Sequence, residues 1–204
     1  MTRRELPFFL AFLLTWMFLA SSVSAEDLFD QLAAQIQPVP VLRGDFTQER
    51  NLAGFSKPLR SSGQFVAARD HGVLWRTLQP FPSLLIITPE AIRERVDGQA
   101  SFALDATAEP ALRQINQILL ALLQGELSAL REHFVASGRV DAQGFDVRLT
   151  PQGKVADMLG SVVVAGHHQI ERVQISERSG DSSVIEFSAL QPSTLTDAEL
   201  ADFE

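Results

Sequence analysis

The sequence predicts a mainly β fold with a few helices, of the α+β kind, in which an antiparallel sheet curls around its helices. Three observations carry this. Short strand patterns separated by Gly, Pro and Asp fill residues 41–104 and return over 145–190. Between them, residues 107–134 switch to a helical period with an apolar stripe too wide for a half-buried helix. Residues 84–87 (LLII) are apolar on both faces of a strand, so that strand is covered on two sides or has one face lining a cavity. About nine to eleven strands result, and a sheet of that width curls rather than staying flat. Helices on one side then plug its concave face.

Residues 1–25 read as a signal peptide. Arg3 and Arg4 give a positive start, residues 8–20 form an apolar run, and Val23-Ser24-Ala25 is a small-residue cleavage pattern. The run is short for a membrane span. The twin arginines suggest export of a folded protein, but no cofactor motif follows that would need it, and the ordinary secretory route fits better. The chain contains no cysteine, so the exported domain stands without disulfides and no lipid can be attached after the signal. Cleavage leaves residues 26–204 as one domain, with neither repeat nor linker, and moves the formal charge from −8 to −9. Such a charge argues against nucleic acid or anionic headgroups as partners held by charge alone.

Residues 26–36 read as a helix with Leu28, Phe29, Leu32 and Ile36 on one stripe, ended by Pro38 and Pro40. Residues 63–80, GQFVAARDHGVLWRTLQP, read as a hairpin. Phe65, Ala67 and Arg69 share one face of its first strand, Asp70, His71 and Gly72 turn the chain, and Val73, Trp75 and Thr77 share a face of the second. Arg69 is the odd member, because a guanidinium on an apolar face needs carbonyl or carboxylate partners, or a wet rim. In the central helical stretch Pro110 suits a first turn, and Leu112, Ile115, Leu119 and Leu122 form one stripe that Ile118, Leu120 and Leu123 widen. Gly125 suits a left-handed cap, with a second short helix expected over 126–134. Core packing of a helix pair and contact with a ligand both account for such a stripe. Strands resume with Phe145, Val147 and Leu149 alternating against Asp146, Arg148 and Thr150, then over 162–164, 170–175 and 184–190. Thr196 and Glu199 spell a capping box for a last short helix, 196–203.

Read with its neighbours, the hairpin resembles the LolA family of periplasmic lipoprotein carriers. The family's early Phe-Thr-Gln stands here at Phe46, Thr47 and Gln48. Its Gly, Arg and Trp at intervals of six, closed by Gln-Pro, stand at Gly63, Arg69, Trp75, Gln79 and Pro80 without a gap. The resemblance implies an incomplete, or half, β-barrel whose central helices form a lid over the open mouth. It also implies a carrier in the periplasm that shields acyl chains of a lipoprotein or related lipid, loaded by an inner-membrane transporter complex and unloaded at an outer-membrane acceptor. On it, Phe65, Trp75, Leu85 and Ile87 are expected as groove lining with Leu112, Ile115, Leu119 and Leu122 from the lid. Arg69 is expected to donate to groups in residues 108–125 and latch the lid shut. The C-terminal helix departs from the family plan, which ends in extended chain, and suggests a divergent member.

Chemistry is expected to be absent. The four histidines show no metal-ligand spacing, and His167 and His168 with Glu171 read as a solvated turn or edge. There is no G-x-S-x-G elbow, no cysteine nucleophile and no phosphate loop. A monomeric binding protein without cofactor is the expectation. Its rivals are a lipoprotein-sensing regulator of the same fold and, less favoured, a periplasmic hydrolase.

Overall fold

The computed structural model describes residues 25–105 and 110–204; the side chains of residues 25–27, 110–115 and 119 fall outside that description, as do residues 1–24, on which the signal-peptide reading rests. Eleven strands form one antiparallel sheet in the order β6-β5-β4-β3-β2-β1-β11-β10-β9-β8-β7. They are β1 (Val41–Asn51), β2 (Leu59–Ala68), β3 (Gly72–Gln79), β4 (Ser83–Ile87), β5 (Ala91–Val96), β6 (Gln99–Asp105), β7 (Phe134–Asp141), β8 (Gly144–Pro151), β9 (Leu159–Gly166), β10 (Ile170–Glu177) and β11 (Ser182–Pro192). Every neighbouring pair is consecutive in sequence except β1 and β11, which meet in the middle with Phe46 opposite Phe187. The sheet's free edges are therefore β6 and β7, and the sheet is an open half-barrel.

That order explains the helices. The segment between β6 and β7 has to travel from one free edge to the other, and the short way passes over the concave side. It does so as α2 (Pro110–Gln124) and a 3-10 turn, Leu127–Leu130. Gly125 lies between them at φ 73°, where an L side chain would be strained, and caps α2 as its position suggested. The second short helix expected over 126–134 is replaced by the 3-10 turn, and Phe134 already begins β7. Leu127, Leu130 and Phe134 bury at a spacing that suits either form, so the period alone did not decide.

The amphipathic helix α1 (Ala25–Gln35) covers the β7–β8 side of the concave face, with Leu28, Phe29 and Leu32 of its stripe buried together with Ile36 just beyond it. On the opposite, convex face, α3 (Asp197–Phe203) lies across the β2–β4 side. The doubly apolar strand β4 is thus covered twice: Leu85 and Ile87 join the concave core, while Leu84 and Ile86 join Val41, Val66, Ala68 and Leu74 beneath Leu195 and Phe203.

Candidate functional site

The concave floor is aromatic, and the Phe-Thr-Gln strand builds it. Phe46 on β1 stacks on Trp75 of β3 with ring centroids 3.8 Å apart, and Phe187 of β11 meets Trp75 edge-on at 6.1 Å and Phe65 at 5.1 Å. Phe46 and Trp75 belong to strands two apart, so the intervening strand must present nothing between them. Gly63 does this: a Cβ there would sit 1.9 Å from the Arg76 carbonyl oxygen and 3.0 Å from the Phe46 ring. Gly63 is required by that close approach, at a register shift between Ser62 and Gly63.

Over this floor lies a cavity of about 190 Å³, lined by Gln48, Trp75, Leu85, Ile87, Leu122, Leu123, Val173, Ile175, Ile185 and Phe187. Gln48 is its one polar side chain. Four of the residues singled out in the sequence (Trp75, Leu85, Ile87 and Leu122) meet here. Phe65 does not: it is buried in the adjoining crevice, under Leu122 and Leu123 and against Leu42 and Ile170. The side chains of Leu112, Ile115 and Leu119 lie outside the described residues. The sequence reading missed Phe187, Val173, Ile175 and Ile185, whose alternation in β10 and β11 was visible but gave no sign of which face turned inward.

Among the described residues, five polar contacts tie α2 and the turn after it to the sheet. Buried Asn116 donates through Nδ2 to the Thr88 carbonyl at 2.6 Å and to the Pro89 carbonyl at 3.3 Å, while its buried Oδ1 has no partner. At the C-terminal end of α2, Gln124 Nε2 donates to the Ala68 carbonyl at 3.0 Å and that of Arg69 at 3.3 Å. Arg69 Nε lies 3.0 Å from Glu126 Oε1, both side chains 41 % exposed. The expected partner of Arg69 lay within residues 108–125; the acceptor is instead a carboxylate one position beyond, past the Gly125 cap, because Arg69 follows the last residue of β2, in the β2–β3 turn. An ion pair this exposed contributes about 0.2–1 kcal/mol. The Asn116 bond is shielded from water, so it is the firmer tether.

The convex face is built differently. Arg43 Nε donates to Ser193 Oγ at 2.8 Å, and its two terminal nitrogens grip both carboxylate oxygens of Glu199. Arg93 donates to the Phe203 carbonyl at 2.6 Å, and Arg95 to Asp202 at 2.7 Å. Glu199 also closes the capping box with Thr196, so one carboxylate serves helix start and clamp together. The Arg43 guanidinium, with smaller contributions from the Thr196 N–H and hydroxyl, holds the Glu199 carboxyl down to about 2 against the opposing effect of partial burial.

No constellation for catalysis appears among the described residues. His167 and His168 pack ring against ring at 4.1 Å in the β9–β10 turn, with His167 Nε2 3.2 Å from the Ala142 carbonyl. No group of three or more His, Asp or Glu there is placed to hold a metal ion, and no described helix is long and apolar enough to cross a membrane.

Residues 37–201 match the family described as outer membrane lipoprotein carrier protein LolA. Among solved structures, the LolA superfamily protein NE2245 from Nitrosomonas europaea is 8 % identical, with 87 % of this chain and 97 % of that one covered and a TM-score of 0.47. A DUF1329 family protein from Desulfovibrio piger is 12 % identical, over 88 % and 95 % of the two chains, at 0.49. A putative outer membrane lipoprotein-sorting protein domain from Vibrio parahaemolyticus is 11 % identical, over 88 % and 95 %, at 0.45. No curated protein matches this chain.

Proposed function

This chain belongs to the LolA family, and from that premise we propose that it is a periplasmic carrier which binds acyl chains of a lipoprotein or related lipid in the concave cavity and moves them from the inner to the outer membrane. The observation that carries the reading is a cavity whose described walls are apolar side chains, with Gln48 alone breaking the pattern and no convergent acid, base or nucleophile among the described residues. Each methylene that leaves water for such a wall contributes about 0.8 kcal/mol, so an acyl chain gains on the order of 10 kcal/mol. Binding of this kind needs no cofactor and no chemistry.

Volume supplies the mechanism. At about 190 Å³ the cavity is smaller than the roughly 300–1,000 Å³ of an ordinary ligand site. A full acyl chain enters only if α2 lifts from the floor, and the cargo then takes the place of Leu122 and Leu123 against Trp75 and Phe187. Lifting breaks the Asn116 and Gln124 bonds and the Arg69–Glu126 pair, so these contacts set the bias toward the closed form. The latch expected of Arg69 is one of several and not the strongest. Energy for loading comes from outside the chain, from an inner-membrane transporter complex, and an outer-membrane acceptor takes the cargo off.

The experiment is direct. Protein purified from the periplasm of its host is expected to carry an acylated species detectable by mass spectrometry, and stripped protein to extract one from inner-membrane vesicles. Protein that retains nothing and extracts nothing would refute the carrier reading.

A further inference from the structure

Alternate turns of an antiparallel sheet fall at the same end, and here that end carries most of the large exposed apolar side chains. The β1–β2 loop, the β3–β4 loop and the β5–β6 turn share it, and the pairing of Asn51 with Ser182 and of Glu177 with Leu159 brings the β10–β11 turn and the β8–β9 connection beside them. Phe55 is 73 % exposed and Phe81 81 %, each at a loop tip where nothing in the fold requires an aromatic ring. Leu59, Leu78, Val96 and Met158 are exposed on the same rim. Phe102 on β6, Val135 on β7 and Leu200 on α3 are exposed singly, which is ordinary, but six large apolar side chains gathered at one end mark a contact surface.

Charge distinguishes this rim as well. The only two lysines in the sequence, Lys57 and Lys154, are both exposed on it, two residues after Phe55 and four before Met158, and neither pairs with an acid among the described residues. Of the acids there, Glu49 is met by Arg60, and Glu177 and Asp181 by Arg50. With Arg178 and with Asp97, Asp157 and Glu132 included, the rim is close to balanced, while the chain as a whole carries −8. It is therefore an end that an anionic surface does not repel, with two flexible ammonium groups among aromatic tips.

We propose that this rim docks onto the interfacial zone of a phospholipid bilayer, with Phe55 and Phe81 inserted at headgroup depth and Lys57 and Lys154 against lipid phosphates. The cavity is continuous with this placement: Gln48, Ile175 and Ile185 lie in the strand halves nearer the rim, while the Gln124 end of α2 is bonded at the opposite end of β2. Docking so turns the groove toward the membrane. This goes beyond the carrier reading and does not depend on which lipid the groove holds.

The test uses the full mature chain and vesicles of phosphatidylethanolamine with or without phosphatidylglycerol. Wild-type protein is expected to float with vesicles of either composition, and a Phe55→Ser, Phe81→Ser double variant to lose about tenfold in bound fraction. Because the chain has no cysteine, a dye on Ser56→Cys reports the rim alone and one on Asp70→Cys the opposite end; only the first is expected to shift to the blue on adding vesicles. The double variant is expected to bind a fluorescent fatty acid in solution as wild type does, which separates failure of docking from failure of the groove. Wild-type protein that stays below the gradient, a double variant that floats equally well, a shift at Asp70→Cys, or rim-dependent dimers without vesicle binding would each overturn the proposal.

Discussion

The two faces of the sheet each carry a helix, and they hold it by opposite means. On the concave side α2 rests on aromatic and aliphatic side chains, with a few hydrogen bonds to backbone carbonyls from its middle and its C-terminal end. On the convex side α3 rests on a smaller apolar strip and is fixed in place by Arg43, Arg93 and Arg95. Apolar contact is non-directional, so another apolar body of similar size can replace the helix at little cost. A bidentate arginine–carboxylate pair demands one geometry and leaves a stranded charge when broken. The difference teaches where exchange is possible: α2 covers a surface that can change occupant, and α3 holds its position.

The strongest way to break that comparison is to charge the exchangeable surface. Leu122→Asp places a carboxylate over the aromatic floor, and fatty-acid affinity measured by fluorescence titration is expected to fall about a hundredfold, the equivalent of roughly 3 kcal/mol. Unchanged affinity would show that cargo binds elsewhere.

Next in size is the convex clamp. Glu199→Gln removes the charge that Arg43 grips, and the loss is expected to be about 2 kcal/mol in chemical denaturation, with fatty-acid binding unaltered. The sign follows from the folded carboxyl at about 2 lying below its ordinary 4.5. Its contribution is fully present above 4.5 and is lost as pH falls toward 2, so wild type and variant are expected to converge in stability over that interval. A gap that persists at pH 2 would mean that the clamp does not act through ionised Glu199.

Asn116→Leu sharpens the concave side. It removes an orphaned Oδ1 and a donor in one step, leaves the Thr88 carbonyl buried, and is expected to cost about 1–2 kcal/mol. Amide exchange in α2 should rise while that in α3 stays put; equal protection in α2 would remove Asn116 from the tethers. Arg69→Leu is the smallest change. Its exposed pair with Glu126 predicts less than about 1 kcal/mol, visible as a modest rise in fatty-acid on-rate at low salt that disappears at high salt. An effect larger than that of Asn116→Leu would restore Arg69 as the main latch.

How much of this could be read in advance depends on the range of the signal. The hairpin of residues 63–80 was legible because each of its features is local: alternation, turn residues and a glycine that a crowded crossing needs. The capping box at Thr196 was legible for the same reason. What stayed hidden is what pairs across the chain. Arg43 and Glu199 are 156 residues apart, and an outward-facing arginine on a strand looks like any solvated one until its partner arrives. β7 was missed because it is an edge strand with Gly138 in its middle and buried side chains concentrated at Phe134 and Ala136, too short an alternation to outweigh the helical period before it. Asn116 gave no signal, since a polar residue on a helix is ordinarily solvent-facing.

The meeting of β1 with β11 has a consequence in time. The aromatic floor needs Phe187, and Phe187 reaches Phe46 only after the chain between them has been laid down and closed into a loop of that length. Closure over so long a separation is slow, and pairings of this kind form after the local hairpins on either side. Pulsed amide labelling during refolding is therefore expected to show protection at the β1–β11 ladder last. A half-made chain would then have two separate hairpin ribbons, with Phe46 and Trp75 stacked on one and Phe187 on the other, and only half of the floor in place. On the carrier reading proposed above, capacity for cargo arrives with the completed seam.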